Sequence, residues 1–180
     1  KDIDRGALAL YLRYNSIPAP HSIFKNIYKL SPGAMISVGL DLKENKEEFY
    51  WSTIEEANIG KRESFSGSYS SAVDALQFKL LDAVDSQMHA DVPLGAFLSG
   101  GVDSSAIVAL MQEQSSEKVK TFSIGFEEAE YNEAKYAKSV ANHLGTDHHD
   151  MYVTSKDALN VVPLLPDMFD EPFADSSQIP

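Results

Sequence analysis

Three serines, two glycines and an aspartate fall within the seven residues Ser99-Gly100-Gly101-Val102-Asp103-Ser104-Ser105. Glycines let a backbone turn tightly and approach an anion with no side chain in the way. Hydroxyls and backbone N–H groups can then hold phosphate oxygens. No Lys or Arg occurs between Lys79 and Lys118, and the G-x-x-x-x-G-K-[ST] spacing of an ordinary P-loop is absent. A polyphosphate bound here would rely on amides, on the hydroxyls of Ser99, Ser104 and Ser105, and on a divalent metal. Asp103 is the natural magnesium ligand, because magnesium keeps several waters and takes one or two carboxylates plus phosphate oxygens. The plainer alternative is a strand-to-helix connection in which Asp103 or Ser104 caps the helix.

The flanking residues supply the elements such a loop needs. Leu94–Leu98, led in by Pro93, is a short apolar run that predicts a strand, and Ala106, Ile107, Ala109, Leu110 and Met111 predict a helix. A strand that turns straight into a helix leaves first-turn N–H groups unpaired at the positive end of the helix dipole, which is an anion site. Upstream, Val73, Leu76, Leu80, Leu81, Val84 and Met88 recur at helical spacing and predict an amphipathic helix of about five turns. Downstream, a strand over Val119–Ile124 ends at Gly125. A helix opening at Asn132-Glu133 follows, with Ala134, Ala137, Val140, Ala141 and Leu144 on one face and Gly145 as its C-cap. Asp147–Val153 predicts a third strand. Thr154 or Ser155 caps a last helical stretch that Pro163 and Pro166 break into two short helices. Strands and helices alternating in this way predict an α/β, doubly wound parallel sheet with right-handed crossovers, binding its ligands outside the carboxyl ends of the strands.

The first third of the chain reads differently. Residues 6 to 14 predict a short helix with an apolar face at Leu8, Tyr11 and Leu12, broken by Ser16-Ile17-Pro18-Ala19-Pro20. Ile23, Phe24, Ile27 and Tyr28 form a second apolar set. Leu30-Ser31-Pro32-Gly33 is a turn signal of the type II kind. Ala34–Val38 and Glu47–Trp51 predict strands joined through polar residues 39–46, making a small α+β lobe. Polar residues 58–70, with Gly60, Gly67 and four serines, predict a linker. The domain division expected is therefore 1–60 and 61–180.

Bulk properties narrow the function classes. The chain has 180 residues, 43% of them hydrophobic, and no Cys, so it has neither a disulfide framework nor a thiolate metal site. A net charge of −12 argues against nucleic acid as a primary partner, since that needs a basic stripe. No apolar run is long enough to span a membrane, and Lys1-Asp2-Ile3-Asp4-Arg5 is not a signal peptide, so a cytoplasmic protein without a membrane partner is expected. His148-His149 would point to opposite faces of a strand, which disfavours joint metal binding.

Three blocks in order carry a family resemblance. Ser99-Gly100-Gly101-Val102-Asp103-Ser104 matches the S-G-G-x-D-S pyrophosphate loop of the ATP-pyrophosphatase families. Phe122-Ser123-Ile124-Gly125-Phe126 and Ala141-Asn142-His143-Leu144-Gly145-Thr146-Asp147-His148-His149 resemble asparagine synthetase, as does Asp170-Glu171-Pro172-Phe173-Ala174-Asp175-Ser176-Ser177. The opening, Tyr14–Pro20 through Leu30–Gly33, is similar to the last part of the glutamine amidotransferase domain that precedes the synthetase domain in that family.

The resemblance implies an adenine nucleotide alpha hydrolase-like sheet, incomplete at its C-terminal end, in a piece of a longer enzyme. It implies ATP binding by Leu98, Ser99, Gly100, Gly101, Asp103, Ser104, Ser105, Ile124 and Gly125, with Leu98 and Ile124 against the adenine and Mg2+ on Asp103. It further implies that a carboxylate, aspartate in the largest class, is activated as an acyl-adenylate and amidated with ammonia from glutamine. Relatives act instead on sugar acids or β-lactam precursors, and a nucleotide-binding protein without catalysis is the rival from another class. A homodimeric parent is compatible with the family. The family's amidotransferase nucleophile, an N-terminal Cys, is missing, and its second acidic loop would lie beyond residue 180, so the 180-residue piece is expected to be inactive alone. Asn132 stands where many members carry Asp. No individual catalytic role is assigned, including within Asp170–Ser177, where Asp175 and Ser176 are the candidates.

Overall fold

The computed structural model describes residues 2–41, 45–126 and 133–175. They form two compact units, one combining the described residues up to 66 with 161–175, the other covering those from 67 to 160.

In the first unit, helix α1 (Arg5–Tyr14) begins where the Asp4 carboxylate accepts from the N–H groups of Gly6 and Ala7, and it ends at left-handed Asn15. The predicted apolar face is corrected. Ala7 is buried and Tyr11 half-buried against Ile17, Ile23 and Phe24, whereas Leu12 is 75% exposed. The small Ala7 side chain lets the following loop close on the helix, and that contact sets the helix roll.

Gly33 has φ +72°, and the Ala34 N–H donates to the Ser31 carbonyl at 3.1 Å, giving the expected type II turn. A Cβ there would lie 2.3 Å from the Trp51 carbonyl oxygen, so only glycine fits. The turn leads into an antiparallel pair, β1 (Ala34–Val38) and β2 (Asn45–Phe49), with Ala34 opposite Phe49. The second strand starts two residues earlier than its pattern predicts. Residues 58–62, predicted as linker, belong instead to α2 (Thr53–Arg62). Ser52 caps that helix, Glu55 and Glu56 occupy its first turn, and Lys61 and Arg62 its last, all favourable to the helix dipole. The single Gly60 does not break it.

In the second unit, α3 (Tyr69–Gln87) is capped by Ser68 and packs Leu80, Leu81 and Val84, with Met88 just past its end, against Leu110, Met111 and Val119. Val73 and Leu76 on the same predicted face remain exposed, because only the carboxyl-terminal half of the helix meets this core. Strands β3 (Gly95–Phe97), β4 (Lys120–Phe126) and β5 (Asp147–Val153) form a parallel sheet in the order β3-β4-β5. Gly125 therefore lies inside β4 rather than ending it. The crossovers are α4 (Val102–Gln114) and α5 (Ala134–Leu144). Both lie on one face, where Leu98, Val108, Ala137 and Ala141 make a common core. Phe97 and Phe122 point to the other, exposed face. Gly145 closes α5 at φ +74°. Asn132 lies outside the described residues.

After β5, α6 (Ser155–Val161) opens with a reciprocal cap: Thr154 N–H donates to Asp157 Oδ2 and Asp157 N–H to Thr154 Oγ1. A 3-10 turn over Val162–Leu164 and the short α7 (Leu165–Met168) follow, with Pro163 and Pro166 in their first turns, where the missing N–H costs least.

Candidate functional site

The loop after β3 is built mostly by its own polar groups. The Leu98 N–H donates to the Phe122 carbonyl at 2.8 Å, carrying the sheet contact one residue past the strand, and the Leu98 side chain is buried among Val108, Ala137 and Ala141. Gly100 then takes φ +81° and Gly101 returns to extended backbone as the N-cap of α4. The Ser99 N–H donates to Ser104 Oγ and the Gly101 N–H to Ser99 Oγ, each at 3.3 Å. The two serine hydroxyls share a hydrogen bond of 2.8 Å, and Ser104 Oγ donates to the Gly101 carbonyl at 3.3 Å.

Neither Asp103 nor Ser104 caps the helix, contrary to the capping expected of a plain strand-to-helix connection. The cap is Gly101, which makes no side-chain hydrogen bond. Val102, Asp103 and Ser104 are the first three helical residues, whose N–H groups have no intrahelical acceptor. Asp103 is exposed in that turn, and its carboxylate is favoured by the dipole. Ser105 Oγ is buried without a hydrogen-bond partner among the described residues.

Ile124 is half-buried and Gly125 buried near the carboxyl end of β4. Both glycines of interest touch α5. An added Cβ on Gly100 would lie 2.7 Å from both the Ala137 nitrogen and the Tyr136 carbonyl carbon. One on Gly125 would meet the Tyr152 ring at 2.7 Å and Ala134 Cβ at 3.0 Å. Sequence reading places Ala134 and Ala137 only on a core face, since alanines in an amphipathic helix give no sign of touching a loop.

It also missed a polar cluster between β4 and β5. His148 Nδ1 lies 2.9 Å from Thr121 Oγ1 and Nε2 lies 3.3 Å from Ser123 Oγ, while Thr121 Oγ1 also reaches Thr146 Oγ1 at 2.9 Å. Burial pushes the His148 pKa below the ordinary imidazole value. Asp150 opposes that shift, whereas Lys138 and His149 add to it. His149 faces the other side of the sheet and stacks on Phe122. The alternation of Thr121, Ser123 and His148 on one face was the available signal.

The Asp170–Ser177 block is described as far as Asp175; Ser176 and Ser177 lie outside the described residues. It belongs to the first unit, where Glu171 pairs with Lys29 and accepts from the Ile23 N–H at 3.3 Å. The Ala174 N–H donates to the Asn15 carbonyl at 2.7 Å. Phe169 and Phe173 pack edge to face beside a cavity of about 450 Å³ that Ile3, Ile23, Phe24 and Leu165 also line.

A parallel sheet with both crossover helices on one face, and a glycine-serine loop at the carboxyl end of its first strand, places the chain among α/β proteins of the adenine nucleotide alpha hydrolase-like kind. The family model described as asparagine synthase matches residues 75–180, and the chain belongs to that family. It is 36% identical over its whole length to a Methanocaldococcus jannaschii protein provisionally named asparagine synthetase [glutamine-hydrolyzing] 2, of which it covers 34%. It is 31% identical over 99% of its length to asparagine synthetase [glutamine-hydrolyzing] 1 of Bacillus subtilis, of which it covers 27%. Asparagine synthetase B of Escherichia coli is 34% identical over 48% of the chain. The chain thus spans about a third or less of the length of these relatives. No helix among the described residues is long and apolar enough to cross a membrane.

Proposed function

We propose that this chain carries the ATP-binding part of a glutamine-dependent asparagine synthetase, with the nucleotide on residues 98–105 and at Ile124-Gly125. The observation that carries the reading is the turn Ser99–Ser104. Gly100 at φ +81° brings an α4 terminus capped by a bare glycine to the carboxyl end of a parallel strand. That arrangement presents N–H donors and hydroxyls to an anion without any local cation.

The amides of Val102, Asp103 and Ser104 would hold the β- and γ-phosphates, with the Ser99–Ser104 pair keeping the loop in shape. Leu98 has its side chain in the core, so it would meet adenine through backbone groups at the strand end. The exposed Asp103 carboxylate suits magnesium, which needs only one or two protein carboxylates alongside water and phosphate. When bound, magnesium would neutralise charge on the departing pyrophosphate. In the reaction, an aspartate carboxylate oxygen forms a bond to the α-phosphorus as the bond to the bridging oxygen of pyrophosphate breaks. Ammonia then attacks the acyl carbon, loses a proton and expels AMP. The chain's contribution is to orient the polyphosphate and stabilise the leaving group, which requires no protein nucleophile. By this reading the remaining groups, including the ammonia-generating cysteine and a second acidic loop, lie in other parts of the protein, and the 180-residue piece alone does not turn over. A cytoplasmic setting fits such a reaction.

Calorimetric titration with magnesium ATP tests the nucleotide site. Binding that weakens in Asp103→Ala and on omitting magnesium supports it. No heat from the folded chain, or binding indifferent to both changes, overturns it.

A further inference from the structure

We propose that the first turn of α5 is a two-sided spacer for the nucleotide site, with Ala137 positioning the polyphosphate loop and Ala134 positioning the adenine end of β4. The inference rests on the nucleotide reading above and adds two positioning residues to it.

The two contacts involve adjacent strands of the sheet. Phe97 pairs with Phe122. Gly125 is the penultimate residue of β4, and Gly100 lies in the turn three residues beyond the end of β3. Each lies against α5: a Cβ on Gly100 would fall 2.7 Å from the backbone at Tyr136 and Ala137, and one on Gly125 would fall 3.0 Å from Ala134 Cβ, with the Tyr152 ring of β5 closer still at 2.7 Å. Ala134 and Ala137 are 2% and 0% exposed. Three residues apart, they share a helix face, and the 1.5 Å rise separates them by about 4.5 Å along the axis.

A helix that merely covered a sheet would meet the middle of its strands through larger apolar side chains. This turn instead sets the small Ala134 side chain against Gly125 and its own backbone against Gly100, near the carboxyl ends of the strands, where ligands bind in such sheets. Ala137 packs with Leu98 and Val108 in one core, and the backbone at Tyr136 and Ala137 abuts Gly100, so added bulk at Ala137 moves the helix turn and, with it, the loop. Added bulk at Ala134 displaces Gly125 and, with it, the Ile124 backbone. The two displacements act on different parts of one nucleotide.

The test separates those parts. The 180-residue chain and its Ala134→Val, Ala137→Val, Ala134→Ser and Ala137→Ser variants are titrated with magnesium pyrophosphate and, separately, with AMP. Circular dichroism and thermal unfolding identify the folded variants, and the serine forms serve if valine prevents folding. At Ala137, affinity for pyrophosphate falls about tenfold while that for AMP stays within about twofold; at Ala134 the pattern reverses. A purely structural role lowers both affinities together. Equal losses for the two ligands, or no loss in either, overturn the proposal. If the unmodified chain binds neither ligand, the nucleotide reading itself is wrong and the spacer proposal falls with it.

Discussion

Ser99 and Ser104 face each other across the amino-terminal turn of α4, their hydroxyl oxygens 2.8 Å apart. Ser99 Oγ also accepts from the Gly101 N–H, and Ser104 Oγ from the Ser99 N–H. The loop is thus held by hydroxyls and amides of its own, before any ligand arrives. Ser104→Ala removes two of these contacts and the bond that Ser104 Oγ donates to the Gly101 carbonyl. It is expected to lower stability by about 1 kcal/mol, since the site is open to water that replaces part of the loss. Magnesium ATP should bind several-fold more weakly. Urea unfolding and calorimetry on the same variant check both effects.

The two loop glycines should differ sharply. Gly100 combines φ +81° with backbone atoms 2.7 Å from where a Cβ would stand, so Gly100→Ala is expected to cost about 2–4 kcal/mol. Gly101 is extended, and its nearest neighbour is the movable Ser99 hydroxyl at 3.3 Å. Gly101→Ala should stay within about 1 kcal/mol. Equal costs in urea unfolding would contradict this account of the turn.

In the first unit, Lys29 meets the Glu171 carboxylate and also donates to the Ile17 carbonyl, with both side chains partly exposed. Lys29→Met leaves Glu171 without its cation and is expected to destabilise this unit by about 1–2 kcal/mol. Adding Glu171→Gln should recover part of that loss, because the remaining amide needs no counter-charge. A double-mutant cycle read by hydrogen exchange over residues 15–29 and 169–174 measures the coupling; additive single effects would show that the pair contributes nothing.

His148 makes stability depend on pH. Its folded pKa lies below the unfolded value, chiefly through burial. The unfolded chain therefore takes up its proton first as pH falls. The contribution of this group is fully present above the ordinary imidazole pKa of about 6.5 and is lost as pH drops through the folded value. Denaturation midpoints should decline on acidification from neutral pH. His148→Gln, which keeps polar atoms near Thr121 and Ser123, should flatten that decline relative to the unmodified chain. An unchanged pH slope in the variant would rule His148 out as its source.

Much of the second unit is legible from its pattern. The alternation around β4 and β5, the apolar spacing in α3 and α5, and Gly145 after a helical run each have a local cause, so their positions follow from neighbouring residues. The misses have non-local causes. Residues 58–62 looked like a linker because one glycine and several polar side chains outweighed a Ser cap and well-placed charges. The face of α1 was misjudged because Ile17 and Ile23, outside the helix, decide which side it buries.

By itself, the order of residues determined the kinds of groups in the loop, the strand-helix-strand succession around it, and the presence of two glycines free to turn. Those properties depend on backbone sterics and side-chain chemistry acting over a few residues. Only the tertiary structure decided that Ser104 reaches back to Ser99 instead of capping α4, that Lys29 meets Glu171, and that Ala134 and Ala137 fall against Gly125 and Gly100. Lys29 with Glu171 and Gly100 with Ala137 join segments far apart in the chain, and even the nearer contacts depend on how the turn and helix pack; no local spacing encodes which group will face which strand end.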